Sequence, residues 1–199
     1  MQHELKEHAI HEHQSKEYGR PETPGSTRMK NHEHEAITAA VHEQRQYRNA
    51  LGRFATGVCV VSAYGAGQSP IAMTINSFSS LSLDPYLIQW NIKKESLCYA
   101  LFSQLHRYSI SVLSEQQMDI SCRYAKAGDH IMNPDDHSDS ATGIPYVEGS
   151  LAYFECRNWR LIEAGDHDII VAVVDRFSIV SEGQPLIFFS GKYCPLHIE

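Results

Sequence analysis

The sequence is short of the features that announce several protein classes. No purely apolar run exceeds six residues, as in Ile169 to Val174. A membrane-spanning helix needs roughly 20 such residues, so no membrane helix is expected. Cations are outnumbered: Lys+Arg total 17 against Asp+Glu 24, a formal net charge of -7. That balance lacks a broad phosphate-neutralising surface and argues against nucleic acid as a partner. The five cysteines (Cys59, Cys98, Cys122, Cys156 and Cys194) are odd in number, widely spaced and without a C-x-x-C pair. Neither a zinc ribbon nor a thioredoxin-type site is suggested. In surroundings such as Val58-Cys59-Val60 they read as buried, reduced thiols of a cytoplasmic protein. No apolar segment follows Met1, so no secretory signal is expected. The strings G-x-S-x-G, G-x-x-x-x-G-K-[ST] and G-x-G-x-x-G are all missing, so a phosphate-bearing ligand must be held by other means.

What is there divides into two zones. The 199 residues are 42% hydrophobic, enough for one packed domain with a tail. The first 45 residues hold only 11 of that set but seven of the 12 histidines. Residues 1–34 read as a polar, histidine-rich, disordered extension, and 35–199 as the folded domain. Histidines alternating with glutamates suit loose transition-metal binding, but no fixed ligand geometry is visible and a soluble tail explains them as well. From Glu35 to Arg53 the period becomes helical, with Ile37, Ala40, Val41, Tyr47, Leu51 and Phe54 on one stripe. Short strands are expected over Val58–Ala63, Ile71–Ile75, Phe78–Leu83 and Tyr86–Ile92. A helix capped by Ser96 follows, then a strand over Tyr108–Leu113 and a helix after Ser114. Gly128 to Gly149 reads as a long surface loop. Two long strands, Leu151–Glu163 and Asp168–Val180, and a last one, Leu186–Phe189, complete a mainly β chain: an antiparallel barrel or sandwich with added helices.

The segment Ala72 to Pro85 is unusually polar for a strand pair. Thr74, Asn76, Ser77, Ser79, Ser80, Ser82 and Asp84 all carry short hydrogen-bonding side chains. Such a row suits the edge of a flat heteroaromatic ring, with Phe78 beside it, or else a polar edge strand.

This segment, with Leu51-Gly52-Arg53-Phe54-Ala55-Thr56-Gly57-Val58 before it, resembles the flavin reductase-like family of FMN-binding split barrels. So do Ser121-Cys122-Arg123-Tyr124-Ala125, Ala164-Gly165-Asp166-His167 and the closing stretch Leu186 to Tyr193. The likeness runs in order from Gln46 to Tyr193. It implies a six-stranded antiparallel Greek-key barrel with added helices, and a homodimer with flavin near the subunit interface. It implies NAD(P)H:flavin oxidoreductase activity, moving a hydride from NADH or NADPH to FMN or FAD and supplying a flavin-dependent monooxygenase. By the same likeness Thr74, Asn76, Ser77 and Phe78 contact the flavin ring, with Ser80 and Ser82 close to it. Asn91 and Ser96 reach toward the ribityl and phosphate groups, Arg123 is the phosphate cation, and His167 meets the nicotinamide nucleotide. Two other readings keep the barrel: a flavin-binding electron-transfer protein, and a reductase of another acceptor such as ferric chelates or a corrinoid.

Overall fold

The computed structural model describes residues 24–128 and 130–196, with side chains from Thr38 onward. It separates into two compact units that meet between Gln46 and Tyr47. The first helix, α1, runs Pro24–Leu51, so it begins well before the Glu35 expected. Pro24 sits at its first position, where a missing N–H costs nothing and the fixed φ suits the helix. Residues 1–23 of the expected extension lie outside the described part. From residue 47 onward the chain is mainly β, as its composition and periodicity suggest.

Seven strands share one antiparallel sheet. They are β2 (Cys59–Tyr64), β3 (Pro70–Ile75), β4 (Ser79–Leu83), β5 (Tyr86–Lys93), β6 (Tyr108–Val112), β9 (Ala152–Ala164) and β10 (His167–Ile179). Their order is β3-β2-β6-β9-β10-β5-β4, one strand more than the six expected. Strands β3 and β4 therefore stand at opposite edges, yet only Asn76, Ser77 and Phe78 join them. A flat seven-stranded sheet would hold its edges about 29 Å apart, while that link reaches about 15 Å at most. The sheet must curl until its edges nearly meet. Irregularities in the β9–β10 pairing at Val171/Ala172 and Val174/Arg176, and in β4–β5 at Ser80/Ser82, supply local bending. No β3–β4 ladder closes the seam, so the barrel is split there.

The barrel interior is filled from alternate positions of each strand: Val61 and Ala63, Ile88, Trp90 and Ile92, Tyr108 and Ile110, Ile170 and Ala172. Trp90 is fully buried, and the rings of Phe102 and Tyr108 meet it edge-on at 5.8 and 5.9 Å. Phe102 comes from α2 (Tyr99–Gln104), on the connection between β5 and β6. A second apolar cluster lies on the other face of β2. There Val58, Val60 and Ala72 pack with Leu113, Tyr124 and Val147. Burial on both faces explains why 58–63 is apolar at every position but Ser62, with no regular polar alternation.

The expected loop 128–149 is more ordered than its composition suggests. It contains a 3-10 turn at Pro134–Asp136 and a hairpin of β7 (His137–Asp139) and β8 (Pro145–Val147). The buried serines of the barrel wall receive that hairpin. Ser62 and Ser109 both donate to the Pro145 carbonyl, and Val147 N–H donates to Ser111 Oγ at 3.0 Å. The remaining helix, α3, spans Met118–Ala125. A small sheet joins β1 (Thr56–Gly57), β11 (Ile187–Phe189) and β12 (Lys192–Cys194). Among the described residues no helix is long and apolar enough to cross a membrane.

Trp90 Nε1 donates to Tyr108 Oη at 3.1 Å in the middle of the core. Tyr108→Phe leaves that buried indole N–H without an acceptor, which costs about 1–3 kcal/mol. Urea denaturation of the variant is expected to show a lower midpoint with an unchanged slope.

Candidate functional site

The seam of the barrel also borders a concave region. A cavity of about 1280 Å³, open to solvent on one side, runs from the seam loop Asn76–Ser79 to the end of α1 and the closing segment at Ser190. Its three walls come from distant parts of the sequence, and each is fixed by local chemistry.

The seam wall is held by a side chain in place of a strand. Ser79 pairs with Gln89 in the β4–β5 ladder, so Ser77 falls opposite Asn91. There the backbone has left the ladder, and Ser77 Oγ accepts from Asn91 N–H at 2.9 Å and donates to its carbonyl at 3.4 Å. The Phe78 ring stacks on Phe154 at 5.6 Å, with an interplanar angle of 28°, anchoring the loop from within. The side-chain amides of Asn76 and Asn91 line the cavity and have no partner among the described residues.

The opposite wall is the end of α1 and the turn after it. Gly52 N–H donates to Arg48 O at 2.9 Å, and Ser190 N–H donates to Gly52 O at 2.8 Å. A Cβ at Gly52 would stand 3.5 Å from Ser190 Cα, an ordinary contact distance, so the closing segment packs directly against this turn. Arg48, Arg53, Phe54 and Thr56 line this wall, and Phe188 closes the third. Thr56 Oγ1 is buried and lacks a hydrogen-bond partner. A buried hydroxyl without a partner is costly unless a ligand or water satisfies it.

The donor set fits a flavin: amides for a heteroaromatic edge, two guanidinium groups for phosphate oxygens, and an unpartnered hydroxyl. His167 is not a lining residue, but it lies on the same side of the sheet. It is paired with Lys93 as Ile169 is with Asn91, and opposed residues of an antiparallel pair share a face. His167 Nδ1 lies 2.9 Å from Asp166 Oδ1. A carboxylate only accepts, so Nδ1 carries the hydrogen and Nε2 is left for another partner. The same bond holds the Asp166 carboxyl below its ordinary range.

The structure thus gathers Asn76, Ser77, Phe78 and Asn91 in one cavity and sets His167 on the same face. The other expected residues are occupied elsewhere. Thr74 Oγ1 donates to Ser121 O at 2.8 Å, tying β3 to α3. Ser80 faces out on β4, and Ser82 Oγ accepts from Asp84 N–H in the β4–β5 turn. Ser96 Oγ accepts from Cys98 N–H at 3.2 Å and contacts Met73 Sδ. Arg123, expected as the phosphate cation, is ion-paired with Asp136. The same carboxylate receives the Tyr124 hydroxyl, so Arg123 fastens the 134–136 turn to α3. Arg48, Arg53 and Thr56 carry no sequence-based assignment, although Arg53 and Thr56 stand inside the Leu51–Val58 string. Two arginines flanking a Leu-Gly pair at a helix end were the available signal. Burial pushes the thiols of Cys59 and Cys98 up to about 12 and about 11, with Cys156 also raised, so these three are inert core groups. Among the described residues no His/Cys/Asp/Glu cluster can hold a metal ion. The tail histidines lie outside the described side chains.

A split antiparallel barrel with a polar seam facing paired arginines defines a class that takes a flat, phosphate-bearing ligand. A family model of the flavin reductase like domain matches residues 51–197, and the chain belongs to that family. It is 42% identical over 149 residues to the FMN reductase (NADH) SmoA of Agrobacterium fabrum, covering 75% of this chain and 84% of that protein. It spans about half of two other curated relatives, 45% and 49% of their lengths. Among solved structures, the styrene monooxygenase flavin reductase of Pseudomonas putida superposes with a TM-score of 0.71 at 31% identity, covering 77% of this chain and 99% of that one. An NADH:FAD oxidoreductase of Streptomyces globisporus, solved with NAD and FAD fragments, gives 0.73 at 29% identity, covering 78% and 94%.

Ser77→Ala removes the side chain that continues the β4–β5 pairing into the seam loop and leaves Asn91 N–H without that acceptor. The expected cost is about 1 kcal/mol, which for a chain of this size lowers the melting temperature by about 2–4 °C. Flavin affinity, measured by fluorescence quenching, falls with it.

Proposed function

We propose that this chain is an NADH-dependent flavin reductase that takes FMN or FAD into the seam of its barrel and supplies reduced flavin to a partner monooxygenase. The observation that carries this is the seam itself. Unpartnered amides of Asn76 and Asn91 and two arginines line one cavity, with His167 on the same sheet face, in a chain 42% identical to an FMN reductase (NADH). The name of the styrene monooxygenase flavin reductase supports the monooxygenase partner. Free cysteines throughout the described residues support a reducing compartment, the cytoplasm.

The bound flavin and nicotinamide supply the hydride chemistry. The protein's own residues bind and orient. Asn76 and Asn91 hydrogen-bond the ring edge, and Thr56 gives its buried hydroxyl a partner. Arg48 and Arg53 hold phosphate oxygens, and His167 Nε2 meets the nicotinamide nucleotide. Alignment of two ligands converts an encounter into an effectively unimolecular step. No acid or base is demanded of the protein, consistent with a site that has no nucleophile–base pair.

The mouth of the cavity is apolar and open: Leu51 is 56% and Phe54 78% exposed. On the barrel, Leu83 and Ile179 are also more than four-fifths exposed. We assign these surfaces to a homodimer contact, because such patches are rare on monomers. Sedimentation at micromolar concentration is expected to give a dimer, and a lone monomer would sink the assignment.

Purified protein is expected to oxidise NADH only when flavin is added or retained; no flavin-dependent oxidation with FMN, FAD or riboflavin refutes the function. Arg53→Ala is expected to weaken FMN and FAD by about ten- to a hundredfold, the worth of a charge-assisted contact, and riboflavin far less. Arg123→Ala is expected to lower stability and spare the preference for phosphorylated flavins. The reverse pattern would return the phosphate to Arg123.

A further inference from the structure

The turn that carries His167 is gripped from behind by a cluster outside the flavin cavity. Asp168, the next residue of β10, points to the barrel interior and is 4% exposed. Tyr99, the first residue of α2, donates its hydroxyl to Asp168 Oδ2 at 2.5 Å. Lys94 Nζ lies 3.6 Å from Asp168 Oδ1 and 2.7 Å from Glu163 Oε1. At 3.6 Å the first contact is electrostatic, and Oδ1 receives no hydrogen bond. The backbone N–H of Lys94 also donates to Asp166 O at 3.0 Å. One lysine therefore touches the strand before the turn, the turn itself and the strand after it.

This grip falls where the hairpin has least support. Strand β6 pairs with β9 only as far as Cys156, so 157–164 have β10 as their sole ladder neighbour. Residues 161–166 are all exposed. An under-satisfied buried carboxylate is destabilising relative to an apolar residue of similar size, so packing alone does not account for Asp168. Because strand side chains alternate, pinning Asp168 inward fixes the outward direction of His167.

We infer that Asp168, held by Tyr99 and Lys94, is a positioning residue that aims His167 at the nicotinamide nucleotide. The inference rests on the reading of His167 as the nicotinamide contact. Without the grip, the tip of the hairpin samples more orientations, and NADH pays for reordering it on binding.

The test compares Asp168→Asn, His167→Ala and the double variant, each for NADH kinetics, flavin affinity and hydrogen exchange of residues 164–169. Asp168→Asn is expected to raise KM for NADH about five- to tenfold and change kcat by less than about twofold. Flavin affinity stays the same, and the turn amides exchange faster. His167→Ala raises KM by itself, and adding Asp168→Asn to it gives no further rise. Tyr99→Phe, which keeps the carboxylate beside Lys94, gives a smaller change in the same direction and serves if the asparagine variant does not fold. Equal KM effects of Asp168→Asn with and without His167, unchanged exchange, or a loss of flavin affinity each overturn the inference. Accelerated exchange with no effect of His167→Ala on NADH shows instead that the nicotinamide reading of His167 has failed, and the positioning role falls with it.

Discussion

The architecture depends on one covalent constraint: three residues join the opposite edges of a seven-stranded sheet. Chain length forbids a flat arrangement, so the sheet curls, and the link is left stretched along the seam. Edge strands brought face to face ordinarily pair. Here Asn76, Ser77 and Phe78 occupy the space between them, and a concave polar strip results. The cavity is thus a by-product of closing a barrel with too short a connection. The end of α1 and the segment at Ser190 need only build up its rim.

Much of the rest of the sheet is covered. The interior is sealed by Trp90, Phe102 and Tyr108. The outer face of β2 and β6 is covered by α3 and by the β7–β8 hairpin, which lands on Ser62, Ser109 and Ser111. Each covering piece has its own polar fastening. Arg123 and Tyr124 converge on buried Asp136, and Thr74 donates to the Ser121 carbonyl within α3. Short polar residues in β3 and β6 are for the most part such fastenings. Only the run beyond Ile75 faces a cavity.

That division sets how much the sequence reveals. The strands were legible because β-branched runs and turn residues report local backbone preference. Asn76 and Ser77 stand out by an excess of polar residues where a strand needs few, with Phe78 beside them, whereas Asn91 is singled out by the family resemblance alone. Thr74 belongs to the same polar excess and Ser96 to a helix start, yet Thr74 donates to a backbone carbonyl and Ser96 accepts from a backbone N–H. Composition cannot separate a hydroxyl that faces a ligand from one that ties two elements. Arg123 shows the same limit: its counter-ion, Asp136, sits in a segment whose composition reads as an irregular loop. Arg48 and Arg53 carry no local signal of a site, because the wall they line is completed only when the closing segment brings Ser190 to Gly52. Strands β7, β8 and β12, three residues each, are too short to leave a period. Residues 24–34, expected in the disordered extension, belong instead to the helix that Pro24 opens.

The hydroxyl of Ser77 stands in for a backbone pair, and this has a mechanical consequence. Two consecutive backbone hydrogen bonds would couple the seam to the β4–β5 ladder, so that displacing the loop would begin to unzip the strands. One side chain, rotatable about Cα–Cβ, transmits much less. The loop is free to shift by a rotamer's breadth while every ladder bond of β5 toward Tyr86 stays closed. Compliance at the seam is thus confined to its ligand-facing loop, and the β4–β5 ladder behind it acts as a stiff mount.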